Sequence, residues 1–197
     1  VKPQLYNIDP YLVAYNCRKH GFPVPVLAMP FWEGAGNKAY DVSGHRNHGT
    51  LINGVKWVGG TFGNALSFDG VDDYTNLGNS GTISGIGIGN FTISAWIKAN
   101  NTNVDIISNS VLTPGTYLLQ LDDAGYLKGH IWTNGGEGII LGNYFTSDGI
   151  WHHVVQTVDG NTITIYVDSV ICGTTSITGT KVGSSGTVFI GTRDGAS

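Results

Sequence analysis

The sequence predicts an all-β domain, an antiparallel sandwich or barrel, on three observations. Short runs rich in Val, Ile, Thr, Tyr, Phe and Trp recur at regular spacing, and apolar residues alternate within them. Turn residues separate the runs, and 30 Gly in 197 residues are spread without a collagen period. Almost no stretch shows a helical period. A chain of this length with five Trp, nine Tyr and seven Phe has the material for one sizeable core.

Taken in order, residues 1–25 read as a distinct N-terminal arm carrying Pro3, Pro10, Pro23 and Pro25. Within it, residues 8–16 suit a short helix or an extended segment, packed on the sandwich or on a neighbour. The domain proper spans residues 26–197. Residues 26–32 read as its first strand, ended by Glu33-Gly34-Ala35-Gly36. Residues 56–58 and 65–68 flank a Gly-Gly turn, and 74–77 make another short strand. Residues 91–98 alternate cleanly, with Phe91, Ile93, Ala95 and Ile97 on one side. Residues 106–107, 117–121 and 126–132 follow. Residues 151–158 and 162–170 flank Asp159-Gly160-Asn161, a hairpin signal. Residues 187–190 are the last strand.

Composition narrows the partners. Net charge is −4 and the densest basic spot is Arg18-Lys19-His20, too small for a nucleic-acid footprint. The longest apolar stretch, 24–32, is short and holds two prolines, so no membrane insertion is expected. The sequence opens on Val1 without signal peptide or initiator Met, which leaves a processed or omitted leader open. Cys17 and Cys172 form either one disulfide or two separate thiols.

An ordered set of motifs resembles a known family. Phe31-Trp-Glu-Gly-Ala-Gly-Asn37 and Tyr40-Asp-Val-Ser-Gly-His-Arg-Asn-His-Gly-Thr-Leu51 look like the opening of laminin-G-like domains. Phe62-Gly-Asn-Ala-Leu-Ser-Phe-Asp-Gly70, Asp72-Asp73-Tyr74 and residues 91–98 follow in the family's order. So do Trp151-His-His-Val154, Asp159-Gly160, Tyr166-Val-Asp168 and Phe189-Ile-Gly-Thr-Arg193. The resemblance covers residues 26–197 and implies a two-sheet jelly roll of the concanavalin A-like kind. It also implies a closing strand after the Phe189 strand, which the sequence to Ser197 does not contain. That gap implies an edge filled by a partner, by the arm, or by a longer parent chain.

Four patterns bear on chemistry. Glycoside hydrolysis needs two facing carboxyls. Only Glu33 and Glu137 occur as glutamates, neither with an acidic partner at suitable spacing, and no G-x-S-x-G, H-E-x-x-H or P-loop is present. A non-catalytic role is therefore expected. Asp41, Ser43, Asn47, Asp69 and Asp72 sit in two loops that the resemblance brings together. Asp41, Asn47, Asp69 and Asp72 would hold a structural Ca²⁺ there, or the loops are plain turns. His45, His48, His152 and His153 read as loop and strand residues, because adjacent strand residues face opposite ways. Trp57, Trp96 and Trp151 read as core. Trp132, with Asn134, Glu137 and Tyr144 in a Gly-rich loop pair, is the candidate aromatic platform for a glycan. Sequons stand at Asn90 and Asn100.

The expectation is a binding module for carbohydrate or a protein surface, placed extracellularly or on a virion surface. The alternative is a virion structural protein whose residues 1–25 contact neighbouring subunits. A glycan-degrading enzyme rests on fold resemblance alone.

Overall fold

The computed structural model describes residues 17–21, 23–109 and 114–192. Most of the predicted arm, including residues 8–16, lies outside the described residues.

Fourteen strands form among them. In chain order they are β1 (Lys38–Ala39), β2 (Gly49–Ile52), β3 (Lys56–Gly60), β4 (Gly63–Ser67) and β5 (Tyr74–Gly78). A short helix, α1 (Gly81–Ser84), runs into a 3₁₀ turn at Gly85–Ile88. Then come β6 (Phe91–Lys98), β7 (Val104–Asn109), β8 (Tyr117–Leu121), β9 (Tyr126–Thr133) and β10 (Gly136–Phe145). The last four are β11 (Trp151–Asp159), β12 (Thr162–Val167), β13 (Val170–Ser176) and β14 (Val188–Ile190).

Every ladder is antiparallel. An eight-stranded sheet runs β1-β2-β5-β14-β7-β8-β9-β10, and a four-stranded sheet runs β13-β12-β11-β6. The β3–β4 hairpin stands apart. The two larger sheets bury their facing sides. Ile93, Val154, Ile165 and Val167 from the smaller sheet pack with Tyr117, Leu119, Leu121 and Leu127 from the larger. Each fully buried Leu or Ile contributes about 1.5–3 kcal/mol by leaving water. The predicted β-sandwich is thus the observed architecture.

Local chemistry explains where elements fall. The strand predicted at 91–98 forms as an eight-residue strand, with Ile93 buried and Thr92, Ser94, Trp96 and Lys98 exposed. Trp96 is therefore not core. The register that turns Ile93 and Ile97 inward turns Trp96 out, where it is 44% exposed. The strand predicted at 26–32 does not form. Pro25 and Pro30 lack amide donors, Phe31 has φ 56°, and the Ala28 amide donates to Asp41 Oδ1 at 2.9 Å.

The single strand read at 162–170 is broken by Asp168-Ser169. Both residues have positive φ, 50° and 70°, the signature of a two-residue type I′ turn. The Gly-rich loop pair read at 133–142 is instead mostly strand: β10 begins at Gly136 and runs to Phe145. Cys17 and Cys172 are separate thiols, and Cys172 is buried, its Sγ donating to the Ile165 carbonyl.

Candidate functional site

Three polar sites stand out, and the first is the β9–β10 hairpin. Leu127 and Ile131 of β9 are fully buried in the sandwich, so Lys128, His130 and Trp132 face the other way. Register places Glu137 opposite Trp132, Ile139 opposite His130, and Leu141 opposite Lys128. The His130 and Trp132 rings stack at 6.1 Å with 24° between their planes, and Glu137 Oε2 lies 3.7 Å from His130 Nε2. Trp132 is half-buried and Glu137 exposed. The result is a ring bordered by a carboxylate, with the exposed side chains of Ile139 and Leu141 following further along the same face of β10.

Two of the predicted ligand residues sit differently. Asn134 is in the turn, where its Oδ1 accepts the Thr180 amide at 2.6 Å, so its carbonyl holds the hairpin to the chain at 180. Tyr144 lies seven positions beyond Glu137, about 20 Å along the strand. It packs edge-on against His152 instead. The structure thus brings Trp132, Asn134 and Glu137 to one end of the hairpin and leaves Tyr144 at the other. His130 is the member that sequence reasoning missed. Its i−2 spacing from Trp132 on a strand was the available signal.

The second site is acidic. Carboxylate oxygens of Asp69, Asp72 and Asp73 lie within 4.8 Å of one another. The tight turn at Gly70, φ 77°, lets Asp69 Oδ1 accept the Val71 amide at 2.8 Å. That bond, with others from the turn backbone, holds the Asp69 carboxyl below the usual carboxylate range. Asp73 is 6% exposed. Its Oδ2 accepts the Asp69 amide at 3.1 Å, and its Oδ1 is buried with no hydrogen-bond partner. That orphan oxygen faces Gly54, where a Cβ would stand 2.9 Å from it. A hollow of about 330 Å³ opens beside it, lined also by Lys56 and Ser67.

The four residues read as a Ca²⁺ set are not gathered there. Asp69 and Asp72 are, joined by Asp73, but Asp41 and Asn47 belong to a separate network. Asp41 Oδ1 accepts the amides of Ala28 and Ser43, and Oδ2 accepts the Ser43 hydroxyl and the Asn47 amide. Asn47 Nδ2 donates to the Val26 carbonyl at 2.7 Å. Both Asp41 oxygens are thus saturated by N–H and O–H donors, and Asp41 organises its loop as an Asx turn does.

The third site is a buried imidazole. His152, on β11, is held between two carboxylates. Nδ1 lies 2.7 Å from Asp168 Oδ2, and Nε2 lies 3.1 Å from Asp148 Oδ1. Burial alone lowers the imidazole's affinity for a proton. The two carboxylates outweigh it, and the net shift is upward from the ordinary 6.5. Asp168 also accepts the His153 amide, which fixes the type I′ turn. His153 points to the other face and sits over Trp96, as strand alternation requires.

Against known proteins, residues 69–197 match a laminin-G family profile described as the concanavalin A-like lectin/glucanases superfamily. No curated protein matches the sequence. Several solved structures share the fold. Domain 4 of the arabinanase AbnA from Geobacillus stearothermophilus, solved with arabinotriose, has TM-score 0.59 at 17% identity, covering 78% of each chain. The botulinum neurotoxin serotype C1 binding domain has TM-score 0.62 at 19% identity, over 85% of this chain and 42% of that one. An S-layer domain-containing protein from Clostridium thermocellum has TM-score 0.51 at 26% identity, over 78% and 73%. The chain therefore spans less than half the length of the toxin domain.

Proposed function

The chain belongs to the concanavalin A-like lectin/glucanases superfamily, and from that premise we propose that it is a non-catalytic module that binds carbohydrate through the β9–β10 hairpin. The observation that carries this is the half-buried Trp132 ring, backed by His130 and bordered by Glu137. A flat aromatic face stacks on the apolar face of a sugar, and an adjacent carboxylate accepts its hydroxyls. The arabinotriose bound by the arabinanase domain is consistent with such a role for this fold. The two glutamates do not form a hydrolytic pair. Glu33 Oε1 accepts the Tyr40 amide ahead of β2, while Glu137, on β10, lies 3.7 Å from His130 of β9.

The test is a glycan array probed with the chain, followed by calorimetric titration of the best ligand. Trp132→Ala is expected to weaken that ligand about tenfold or more, a loss of about 1.4 kcal/mol. An array without signal, or a variant of unchanged affinity, overturns the reading.

We also propose that Asp69, Asp72 and Asp73 hold a structural Ca²⁺. The orphan buried Oδ1 of Asp73, a three-carboxylate cluster and a side-chain-free Gly54 fit a hard cation that takes oxygen ligands. The ion's role would be to pin the turn ahead of β5, not to react. Calcium in excess is expected to raise the melting temperature of the wild-type chain, by about 2.7 kcal/mol of stability at a hundredfold excess over Kd. The same calcium should leave Asp73→Asn unmoved.

For the setting, we propose extracellular display, on a cell or a virion surface. The S-layer similarity supports a surface setting. The exposed Ile139, Leu141 and Phe145 on the edge strand β10 favour contact with a neighbour as a second role.

A further inference from the structure

We propose that the outward face of the four-stranded sheet is a second carbohydrate site, centred on Trp96, and that it takes a neutral, flat, β-linked oligosaccharide. Register puts Trp96 of β6 opposite His153 of β11. Their rings lie 5.3 Å apart with 37° between the planes, and Ser94 Oγ lies 2.8 Å from His153 Nε2. A third ring comes from the β3–β4 hairpin. Phe62, in its turn, packs edge-on against Trp96 at 5.1 Å and 70°. Trp96 is 44% exposed and Phe62 74%. Adjoining apolar groups left in water mark a binding surface. These rings are also braced against one another, so Trp96 loses little freedom when a ligand settles on it.

The register carries this surface across the sheet. Ser94, Val155, Tyr166 and Ile171 stand opposite one another on the four strands. The next row, from Thr92 on β6 to Thr174 on β13, is threonine on every strand. Tyr166 stands roughly 12 Å from Trp96, two strand spacings across and two residues along. Rings and hydroxyls thus share a span that suits an oligosaccharide rather than a single sugar. The apolar faces of the sugars stack on the rings, and their hydroxyls meet those of Ser and Thr. Charge selects among occupants. Between Lys98 at one end and Asp159 at the other, the outward residues of these strands include no Asp, Glu, Lys or Arg. A phosphate backbone or an acidic glycan therefore finds no row of cations. A protein partner draws on a contiguous apolar patch centre, which the threonine row interrupts. The Trp132 patch lies on the outward face of the other sheet, so the two sites stand on opposite sides of the sandwich. This assignment goes beyond the hairpin site and does not rest on it.

The experiment is an NMR titration of the isotope-labelled full chain with cellohexaose, repeated on Trp96→Ala, Trp96→Phe and Phe62→Ala. The Trp96→Phe spectrum identifies the Trp96 indole signal by its loss. The expected result is a saturable shift of that indole and of the Ser94 and His153 amides. Trp96→Ala should weaken the binding that those amides report about tenfold or more, and Phe62→Ala about threefold. Trp96→Phe keeps a ring and should stay within about threefold of the wild type. Both rings are on the surface, so the melting temperatures of the variants should stay near that of the wild type. A saturable titration that leaves the Trp96 indole unmoved, an unchanged affinity in Trp96→Ala, or no response to cellohexaose overturns the proposal. None of these outcomes decides the hairpin site, which is read separately from the Trp132 indole and the glycan array.

Discussion

Replacing Asp41 by alanine is expected to cost about 3–5 kcal/mol of folding stability, the range for removing a buried charged partner. The side chain is 3% exposed and accepts four hydrogen bonds, from the amides of Ala28, Ser43 and Asn47 and from the Ser43 hydroxyl. Alanine leaves those donors in a cavity too small and too buried to solvate them well, and each orphan costs about 1–3 kcal/mol. The loss is not local. Asn47, positioned by this carboxylate, holds the Val26 carbonyl and receives the Ser80 hydroxyl, so one network ties residues 26–28, 41–47 and 80–82 together. Asp41→Asn keeps the shape but turns one acceptor into a donor, and an intermediate loss is expected. Urea unfolding measures both; the midpoint should fall while the slope stays constant. A wild-type midpoint in Asp41→Ala would show that these contacts add nothing.

The second large effect is a pH dependence centred on His152. The folded imidazole holds its proton more tightly than the unfolded one, whose pKa is near the ordinary 6.5. Its contribution is therefore complete below 6.5 and is lost as pH rises through the raised folded value. The acidic limb has the opposite sign. Asp148 is held below its ordinary 3.8 chiefly by the Ile150 amide, with His152 adding to it. Burial raises Asp168, but its bonds with His152 and the His153 amide outweigh that and lower it below 3.8. Their contribution is present above 3.8 and fades as pH falls through the lowered values. Stability should thus be greatest between these limits. His152→Leu keeps most of the volume and removes both bonds, with an expected loss of about 2 kcal/mol near pH 6, since partly exposed carboxylates regain water. The alkaline limb should flatten in that variant. Melting temperatures across pH 3–9 decide; an unchanged profile in His152→Leu would remove the clamp from the account.

The fold was legible where one face of a strand is buried and the other wet, because that imposes a period of two. Residues 91–98 show it, and so does the Asp159-Gly160 hairpin. β10 was hidden for a packing reason. Gly138 and Gly142 look like turn residues but face inward. A Cβ on Gly138 would collide with Ile177, and one on Gly142 would press on Leu127 and Cys172. They permit close approach rather than a bend. The Asn134-Gly135 pair between alternating runs was the signal for that hairpin. Residues 26–32 misled in the other direction, since an apolar run cannot reveal that a carboxylate thirteen positions away takes one of its amides.

The site was legible in part. Asp69 and Asp72 were marked by the family resemblance, but Asp73 was not among the expected ligands, and only folding buries its carboxyl. Asp41 and Asn47 carry the same chemistry as metal ligands, and the difference is that nearby N–H groups reach them first. Trp132 and Tyr144 share a chain segment, but strand geometry separates residues that a loop would have let meet.

The most direct test of carbohydrate binding is an NMR titration of the isotope-labelled chain with the strongest glycan from the array. Five indole N–H signals report on the five tryptophans. The account predicts saturable shifts in the Trp132 indole and in the amides of His130, Glu137 and Ile139, with the Trp151 indole unmoved. Saturable shifts that bypass Trp132 and cluster elsewhere would contradict the assigned site, and no shifts with any glycan would contradict the function.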